Sequence, residues 1–427
     1  MAELRHPPGT FDVLPPESGR WESLVTTFAR VASSAGYGLV ITPTFEDVAV
    51  FQRVGESTDV VRKEMYDFED RGGRRVALRP EMTAPVVRAY IQHRPPAPWK
   101  VWYAGSNFRY ERPQAGRYRE FHQVGIEAFG SADADLDVEV IALGWEYYAA
   151  LGLRRVELVI NSLGDATCRP AYRQMLLAYL VQHRSELCDE HQARLADNPL
   201  RVLDCKKPEC RAVTAGAPRQ TDHLCEDCQA HFARVGAGLE ALGIAYRIDP
   251  ALVRGLDYYT RTTFEYTGLA LESAQNGVGG GGRYDGLVAE MGGPDTPGIG
   301  FALGLERVLL ACDAEGLAGD GAPGVEAFVV DFAGGEAARD LTAELRAAGI
   351  RVERSFDGRS PKAQFKAADR SGASIALVVG PDEAAAGTVA LRGLRGPQAG
   401  RADQVTVARG DVVAEVRSRV GSRGDLR

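Results

Sequence analysis

The sequence predicts an α+β protein with a helical insertion and a separate C-terminal α/β domain, and three observations support that prediction. Strand patterns at 99–112 and 119–130 predict a long β-hairpin. The stretch from about 165 to 245 has helical patterns, contains Cys and His, and lacks strand patterns, which indicates an insertion. After residue 324, strand and helix patterns alternate as βαβαβ, which is typical of an independent α/β domain.

Each element of the first half has its own local signal. Gly36 and Gly38 follow a run of apolar residues at helical spacing and would end that helix. Pro43 interrupts a β-branched run, and Pro-Gln-Ala-Gly at 113–116 supplies the turn of the hairpin. In chain order, we predict a helix over 17–35, an interrupted strand at 38–47, a strand at 76–81, the hairpin, a helix over 135–151 and a strand at 154–164.

Patterns in the second half of the sequence predict where the first domain ends. Strand patterns resume at 248–268, a glycine-rich segment follows at 277–286, and a strand runs into an apolar helix at 298–312. The run DAEGLAGDGAPG at 313–324 has no periodicity and indicates a linker. We therefore expect one domain over 1–320, with its insertion at about 165–245, and a second domain over 325–427.

The composition narrows the class of protein. Hydrophobic residues make up 45% of the chain, yet no apolar run approaches the ~20 residues that span a bilayer. The first residues lack the apolar core of a secretory signal, so we expect a cytoplasmic protein without membrane contact. The net charge of -8 argues against a general nucleic-acid coat. Seven cysteines favour reduced thiols or a metal over a disulfide framework.

The hairpin segment FRYERPQAGRYREFHQ (108–123) concentrates arginine. If it forms a regular hairpin, charged and aromatic side chains lie on opposite faces. One explanation is an exposed sheet edge whose charged side chains prevent pairing with a neighbouring strand. Arginine forks also match phosphate geometry, so the segment equally suggests a polyphosphate site. The odd positions, which are mostly charged, are Arg109, Glu111, Arg117, Arg119, Gln123 and, further along the strand, Glu127, and the even, aromatic positions are Phe108, Tyr110, Tyr118 and His122.

The glycine-rich segment GVGGGGRYDG matches G-x-G-x-x-G at Gly277, Gly279 and Gly282. A dinucleotide fold would place this pattern after the first strand and before a long helix, and neither condition holds here. The glycines are better explained by close approach of the backbone to a ligand or to another strand.

Three segments in this order resemble the signature motifs of class II aminoacyl-tRNA synthetases: the region that ends at Pro43, the arginine hairpin, and GIGFALGLERVLL with Arg307. LVRGLDYYTRTTFEY (252–266) and GGGGRYDGL (279–287) resemble the histidine-specific motifs of histidyl-tRNA synthetases. The resemblance runs from about Arg5 to the C-terminus. It implies an antiparallel sheet flanked by helices and a C-terminal anticodon-binding domain.

The resemblance also implies a reaction and its residues. Histidine's carboxylate attacks the α-phosphate of ATP, whose Mg²⁺ salt is the expected cofactor form, and the histidyl group then passes to tRNA(His). Arg109 and Arg254 are the implied catalytic cations. Arg109 is expected at the α-phosphate and the carboxylate, Glu111 at adenine, Arg117 at the outer phosphates and Arg307 at the γ-phosphate.

A histidine pocket follows from the same comparison. Its implied members are Glu81, Thr83 and Gln123 at the α-amino group, Glu127 and Tyr258 at the imidazole nitrogens, Tyr259 at the pocket wall, and Arg109 and Arg254 at the carboxylate. A polar pocket of this kind rejects isosteres because its buried groups would otherwise lose their partners. Met82 departs from the pattern, since the family commonly has glycine there, and a bulkier residue could shift the backbone before Thr83.

Four cysteines of the insertion form C-x4-C-x14-C-x2-C and suggest a structural zinc site. They are Cys205, Cys210, Cys225 and Cys228. His223 and His231 are alternative ligands, and free thiols are the other interpretation because four residues is a wide spacing for a pair. No catalytic zinc is expected.

The sequence implies two macromolecular partners, a second copy of the chain and tRNA. The region around Pro43 resembles a dimer interface, which implies a homodimer. The C-terminal domain holds 16 Lys+Arg and 14 Asp+Glu, a local reversal of the acidic balance that suits RNA.

One rival function is that of a synthetase-like regulatory subunit of histidine biosynthesis, which would lack this domain. The other is a synthetase for another amino acid, which would differ at Glu127 and Tyr258.

Overall fold

A computed structural model of the chain describes residues 3–55, 60–196, 198–253, 258–271, 276–317, 325–356, 358–395 and 404–421. The chain divides into two compact units. The first comprises Met1–Leu14 and Trp21–Gly319, and the second comprises Pro15–Arg20 and Asp320–Arg427. Within the part of the chain that the structure describes, no helix is both long and apolar enough to span a membrane.

The described residues form helices and strands in both units. The helices are α1 Glu17–Ser34, α2 Val48–Gly55, α3 Thr83–His93, α4 Ala134–Ala150, α5 Arg169–Gln182, α6 Asp189–Arg194, α7 Pro208–Thr214, α8 Glu226–Ala241, α9 Leu287–Glu290, α10 Leu305–Ala314, α11 Glu336–Ala347, α12 Pro361–Arg370, α13 Pro381–Ala386 and α14 Val412–Gly421. The strands are β1 Gly38–Leu39, β2 Phe45–Asp47, β3 Asp67–Glu69, β4 Arg75–Leu78, β5 Trp99–Phe108, β6 Glu120–Phe129, β7 Val156–Ser162, β8 Tyr246–Ile248, β9 Thr260–Gly268, β10 Gly277–Arg283, β11 Gly298–Gly304, β12 Ala327–Asp331, β13 Val352–Arg354, β14 Ile375–Val379, β15 Thr388–Gly393 and β16 Val405–Ala408.

An eight-stranded sheet in the order β1-β5-β6-β11-β10-β9-β7-β8 forms the centre of the first unit. Its six inner strands pair antiparallel, and the short outer strands β1 and β8 pair parallel. A small sheet, β2-β4-β3, belongs to the same unit. The mainly antiparallel sheet confirms the α+β class predicted from the sequence.

Glycine permits the close packing of β10 between its neighbours. A Cβ added at Gly281 would overlap the carbonyl oxygen of Gly300 on β11, and one at Gly282 would lie 2.6 Å from the carbonyl oxygen of Thr262 on β9. The glycine-rich segment is therefore a central strand in close contact with other strands, as one of the two sequence interpretations predicted. It does not open a long helix, which excludes the dinucleotide-loop interpretation.

Helices cover both faces of the large sheet. Side chains of α1, α4, α8 and α10 share one apolar cluster with alternate strand residues such as Trp102 and Ile126. Side chains of α2, α3, α5 and α9 share a second cluster with Tyr103 and Phe129. Neighbouring residues of one strand enter different clusters because successive side chains point to opposite faces. Helices α5–α8 make up the insertion, and its described residues form no β-strand.

The second unit contains a five-stranded sheet in the order β13-β12-β14-β15-β16. The strands β13, β12 and β14 are parallel, and β15 and β16 add in antiparallel orientation. Leu341 and Leu345 of α11 and Val412 and Val416 near the C-terminus pack into its apolar core. The βαβαβ order predicted from the sequence is present, while α13 was not predicted.

The arginine hairpin differs from its prediction. β5 and β6 pair from Trp99 opposite Phe129 to Phe108 opposite Glu120, and regular pairing ends there. Beyond Phe108 the backbone N–H of Tyr110 donates to Glu64 O at 2.6 Å, so the chain leaves the ladder. The predicted segregation of charged and aromatic faces fails in this loop, because the Arg119 guanidinium lies over the Tyr110 ring at 4.0 Å.

A buried ion network joins the sheet to α4 and α8. Arg283, at the end of β10, is fully buried and donates from Nε to Asp137 Oδ2 at 3.1 Å and from Nη1 to Ser131 O at 3.0 Å. His231 Nε2 lies 3.1 Å from Asp137 Oδ1. Burial raises the pKa of Asp137, but its hydrogen bonds to His231 and Arg283 outweigh burial and lower that pKa below its usual value.

Replacing Asp137 with Asn should destabilise the first unit by about 3 kcal/mol, because it leaves a buried guanidinium without its full charge partner. All four tryptophans lie between residues 21 and 145, so the midpoint of urea unfolding followed by tryptophan fluorescence reports on this unit. Asp135→Asn on the same helix is the matched control, since Asp135 pairs with Arg234 at the surface. Equal midpoints for the two variants would contradict a structural role of the network.

Candidate active site

Glu127, a member of the predicted histidine pocket, is the centre of a buried polar cluster on the large sheet. Its side chain is 1% exposed and accepts three hydroxyl donors. Thr83 Oγ1 donates to Glu127 Oε1 at 2.7 Å, Tyr103 Oη donates to the same oxygen at 3.3 Å, and Tyr284 Oη donates to Oε2. A Cβ on Gly300 would overlap the Glu127 carboxylate, so glycine on the neighbouring strand leaves room for it.

Burial controls the protonation of this carboxylate. It raises the pKa of Glu127 to about 8, because the charged form loses its hydration, while the hydroxyl donors Tyr284, Thr83 and Tyr103 act in the opposite direction. The nearby negative charge of Glu81 adds to the increase. A carboxyl group that titrates near neutral pH can accept or donate a hydrogen bond, which suits a ligand with ring nitrogens.

Glu81 and Thr83 stand at the start of α3. The Glu81 carboxylate accepts the backbone N–H groups of Thr83 at 2.6 Å and Ala84 at 2.8 Å and so satisfies donors that a helix start leaves without partners. Burial raises the pKa of Glu81, and those two hydrogen bonds and the charge of Arg109 lower it in part. Met82 between them is buried in the apolar core with an ordinary right-handed backbone conformation.

Arg109 reaches the same region from the end of β5. Its Nε donates to Pro80 O at 2.9 Å, and its guanidinium lies over the Phe121 ring at 5.1 Å. The carbonyl of Pro80 thus orients a cation beside Glu81. The hydrogen bond uses Nε, and the two terminal nitrogens of the fork provide the bidentate geometry that carboxylate and phosphate require.

Two buried tyrosines lie near this polar cluster. Tyr258 and Tyr259 are buried, and their ring centroids lie 4.6 Å apart. Tyr258 also contacts Tyr284 edge to face at 5.7 Å. Burial raises the pKa of Tyr258 well above its usual value, with Tyr259, Glu81 and Glu127 adding to the increase, so Tyr258 stays a neutral hydroxyl in this pocket.

The tip of the arginine loop packs against α10. A Cβ on Gly116 would lie 2.8 Å from Leu310 and 3.5 Å from Cγ of Arg307, and Gly116 has a φ of +71°. Burial lowers the pKa of Arg307, and the charge of Arg117 lowers it further. Arg307 Nε donates to Gly277 O at 2.5 Å, and Arg117 Nη1 lies 3.5 Å from Glu111 Oε2. Two like charges are therefore held close together, which favours an anion between them.

Gln123 on β6 accepts a hydrogen bond from Asn107 Nδ2 at 2.8 Å. Asn107 is fully buried, and its Oδ1 has no partner among the described residues. An orphaned buried acceptor of this kind is available to a ligand donor. Immediately before Gln123 on the same strand, His122 donates its backbone N–H to the buried Glu306 at 2.8 Å, which connects β6 to α10.

The structure brings most of the predicted site residues into two groups. Glu81, Thr83, Arg109, Glu127, Tyr258 and Tyr259 belong to the first group, and Glu111, Arg117 and Arg307 belong to the second. Gln123 lies on β6, four residues before Glu127 on the same strand. Arg254 lies outside the described residues.

Sequence reasoning missed the partners that hold these groups. Tyr103 and Tyr284 bind Glu127, and Asn107 binds Gln123. Arg79 is buried and donates to Ser106 O at 2.8 Å and Thr42 O at 2.9 Å, and so links the end of β4 to the Pro43 region. These contacts join residues far apart in the chain. The sequence did contain a signal for one of these partners, because Tyr284 lies within the glycine-rich segment at 277–286.

The four cysteines predicted as one zinc set do not gather into one cluster. Cys205 and Cys210 group with Cys188 and His191, whereas Cys225 and Cys228 group with two other residues. In each group the ligand-type atoms lie within 4.8 Å of one another. Spacing along the chain suggested the wrong grouping because the starts of α5 and α6 bring earlier cysteines beside each pair. His231 instead bonds to Asp137.

Comparison with known proteins gives consistent matches. A family model described as "Histidyl-tRNA synthetase" matches residues 9–308, and one described as "Anticodon binding domain" matches residues 325–419. The histidine–tRNA ligase of Moorella thermoacetica is 50% identical over 408 residues, which cover 94% of this chain and 96% of that protein. That of Halothermothrix orenii is 46% identical over 426 residues, 98% of this chain and 100% of that protein.

A solved structure agrees with the sequence matches. The crystal structure of the apo histidyl-tRNA synthetase of S. aureus superimposes with a TM-score of 0.79 at 35% identity, covering 97% of this chain and 100% of that one. The resemblance inferred from the five sequence segments is thereby confirmed along nearly the full chain.

The raised pKa of Glu127 predicts a pH dependence of stability. Between about pH 4.5 and pH 8 the folded chain holds a proton at Glu127 that the unfolded chain releases, so this residue's contribution to stability falls as pH rises through that window. Glu127→Gln removes this contribution. The free energy of unfolding of the variant relative to wild type should therefore increase from pH 5 to pH 8, by at most about 1.4 kcal/mol per pH unit.

Urea unfolding followed by tryptophan fluorescence at several pH values measures this difference. Glu146→Gln is the matched control, because Glu146 is exposed on α4 and should keep the wild-type profile. A constant difference between Glu127→Gln and wild type across the window would contradict the buried, protonated state of Glu127.

Proposed function

The chain belongs to the histidyl-tRNA synthetase family, and we propose that it is a histidine–tRNA ligase that activates L-histidine with ATP and transfers it to tRNA(His). One observation carries the proposal more than any other. Arg117 and Arg307, from distant parts of the chain, lie close enough for their charges to interact, and Arg109 of the same hairpin segment places its charge near the buried carboxylate of Glu81. That arrangement suits one ligand with a polyphosphate and another with a small polar side chain.

The first step is attack of the histidine carboxylate on the α-phosphate of ATP, with pyrophosphate as the leaving group. Such a transfer depends on positioning and on neutralisation of charge. Arg109 would bind the carboxylate and the α-phosphate together, since its guanidinium lies beside Glu81 at the pocket edge. Arg117 and Arg307 would bind the outer phosphates and stabilise the leaving pyrophosphate.

Histidine selection depends on the pocket at Glu127. Glu127 and Tyr258 would hold the two imidazole nitrogens, with Tyr259 as a wall. Glu81, Thr83 and Gln123 would hold the α-amino group. A ligand without ring nitrogens could not form the hydrogen bonds that the buried carboxylate and its hydroxyl groups offer. These buried groups would lose free energy, so the site disfavours other amino acids.

Glu111 and Arg254 complete the proposed site. Glu111 would release its contact with Arg117 and face adenine once phosphates attract the arginine. Arg254 would stabilise the charge that develops at the α-phosphate. Bound Mg²⁺ would neutralise further charge on the phosphate oxygens, and Glu265, whose charge acts on Arg307, would offer an oxygen ligand of the type that Mg²⁺ prefers.

Transfer to tRNA involves the second unit. Residues 325–419 match an anticodon-binding model, and the domain carries a slight excess of basic residues in an acidic chain. We infer that this unit binds the anticodon region of tRNA(His). Structural Zn²⁺ would be held in the insertion.

The regulatory-subunit alternative is disfavoured. Its members would lack the C-terminal domain that is present here, and the relatives at 46% and 50% identity over nearly the whole chain are named histidine–tRNA ligases. A synthetase for another amino acid would require changes at Glu127 and Tyr258, and neither residue departs from the histidine pattern.

Amino-acid-dependent exchange of pyrophosphate into ATP tests the activation step. With each of the twenty amino acids supplied in turn, exchange should occur with histidine alone, and purified tRNA(His) should then accept the histidyl group. Exchange without charging of tRNA(His) would contradict the transfer step. Folded protein that exchanges with no amino acid would support the regulatory alternative.

Arg307→Ala should lower kcat/KM for ATP in this exchange by roughly 10- to 100-fold, the effect expected for loss of a charge-assisted contact. The matched control is Arg339→Ala, because Arg339 forms an exposed pair with Asp340 in the second unit and exchange needs no tRNA. An unchanged kcat/KM for ATP in the Arg307 variant would exclude Arg307 from the ATP site.

We also infer a homodimer through the segment around Pro43. β1 is one of the two outer strands of the large sheet, and Leu39, Ile41 and Phe45 in this segment expose apolar side chains. Ile41 is 83% exposed, an unusual state for a large aliphatic residue next to an open strand edge. A second copy of the chain would cover both the edge and these side chains.

Ile41→Glu should convert a wild-type dimer into a monomer in sedimentation velocity at micromolar protein, because it places a charge in the proposed apolar interface. Leu242→Glu is the matched control, since Leu242 is an exposed leucine at the end of α8. A wild-type monomer, or a variant that still dimerises like wild type, would exclude this interface.

A further inference from the structure

The insertion contains a compact cluster of one imidazole and three thiols. Cys188, His191, Cys205 and Cys210 place their ligand-type atoms within 4.8 Å of one another. His191 Nδ1 lies 3.1 Å from Cys188 Sγ and 3.7 Å from Cys210 Sγ. Cys188 and Cys210 are buried, and Cys205 and His191 are half-buried. The atoms converge on one point from two chain segments, 188–191 and 205–210.

The donor types match one metal closely. Three cysteines and one histidine form a known ligand set of structural Zn²⁺, which takes four nitrogen and sulfur ligands in tetrahedral geometry. The backbone N–H of Cys188 donates to Cys210 Sγ at 3.3 Å, an outer contact of the type that orients a thiolate ligand. No carboxylate belongs to this cluster among the described residues.

The fold around the cluster consists of short elements. Between α5 and α8 the regular elements of the described chain are α6 with six residues, α7 with seven and one-turn 3₁₀ segments at Arg184–Glu186, Pro199–Val202 and Gln220–His223. Helices this short are not stable by themselves in water. The cluster joins the start of α6 to the region around α7, so a bound ion would connect elements that hold few residues each.

The second group of the insertion has a different character. In the cluster of Asp165, Cys168, Cys225 and Cys228, the carboxylate already accepts the backbone N–H of Thr167 at 2.9 Å and pairs with Arg261 at 3.4 Å. The thiols of Cys168 and Cys225 donate to the same carboxylate at 3.7 Å. These groups satisfy one another without an ion.

We propose that Cys188, His191, Cys205 and Cys210 bind one structural Zn²⁺, in the pattern C-x2-H-x13-C-x4-C. This assignment replaces the four-cysteine set suggested by spacing: it keeps Cys205 and Cys210 and exchanges Cys225 and Cys228 for Cys188 and His191. It concerns the stability of the insertion and holds whether or not the chain is a ligase.

The zinc content of the purified protein, measured by elemental analysis per chain, tests the assignment. Cys188→Ser and His191→Asn should each lower it by one equivalent, and His191→Cys should retain it because a fourth thiolate replaces the imidazole. Cys225→Ser and Cys312→Ala are matched controls from the second group and from the core, and both should keep the wild-type content. Wild-type protein without zinc, or loss only in Cys225→Ser, would overturn the proposal.

X-ray absorption at the zinc edge of the wild-type protein covers the case in which a variant fails to fold. The proposed site predicts about three sulfur neighbours near 2.3 Å, one nitrogen near 2.0 Å and the outer-shell scattering of an imidazole ring. A spectrum without imidazole scattering would overturn the assignment of His191. Chelation of the ion should also increase proteolytic cleavage between residues 183 and 225.

Discussion

The proposed site depends on one carboxylate that the fold keeps out of water. Glu127 projects from the large sheet, and Thr83, Tyr103 and Tyr284 supply hydroxyl donors from α3, β5 and the end of β10. Removing a charged group from water is costly, and the protein compensates with these hydrogen bonds and with a raised pKa. Glycine at position 300 leaves room for the side chain. The surroundings of Glu127 are therefore polar and buried, and they suit a ligand that can exchange protons or hydrogen bonds with a carboxyl group.

The same sheet positions the cations. Arg109 emerges where β5 ends, and the loop beyond it leaves the hairpin ladder and packs its tip on α10, beside Arg307. The like charges of Arg117 and Arg307 disfavour each other in the absence of a ligand. Holding these two like charges close together costs free energy, which the packing of the sheet and α10 offsets. A bound anion would attract both arginines and so remove this cost. In our account, the carboxylate pocket selects histidine, and the arginines bind ATP next to it.

Local patterns and resemblance predicted different parts of this protein. The hairpin was predicted from strand patterns at 99–112 and 119–130 on either side of a turn, and the C-terminal domain from its regular order of strands and helices. α3 was not predicted, since Pro85 and two valines obscure its helical pattern. β10 has almost no side-chain pattern, and its place in the sheet follows from contacts with neighbouring strands. Glu127 was found through resemblance, whereas Tyr103 and its other partners are distant in sequence. The cysteine spacing predicted correctly which two cysteines lie together in each pair. It wrongly combined the two pairs into one site, because distance along the chain does not report distance in space.

A crystal structure with L-histidine bound tests the central role of Glu127 most directly. The account predicts an imidazole nitrogen within about 3 Å of the Glu127 carboxylate, the other nitrogen at Tyr258, and the α-amino group at Glu81 and Thr83. A histidine bound elsewhere, or bound here with its ring directed away from Glu127 while the three hydroxyl contacts persist, would contradict it.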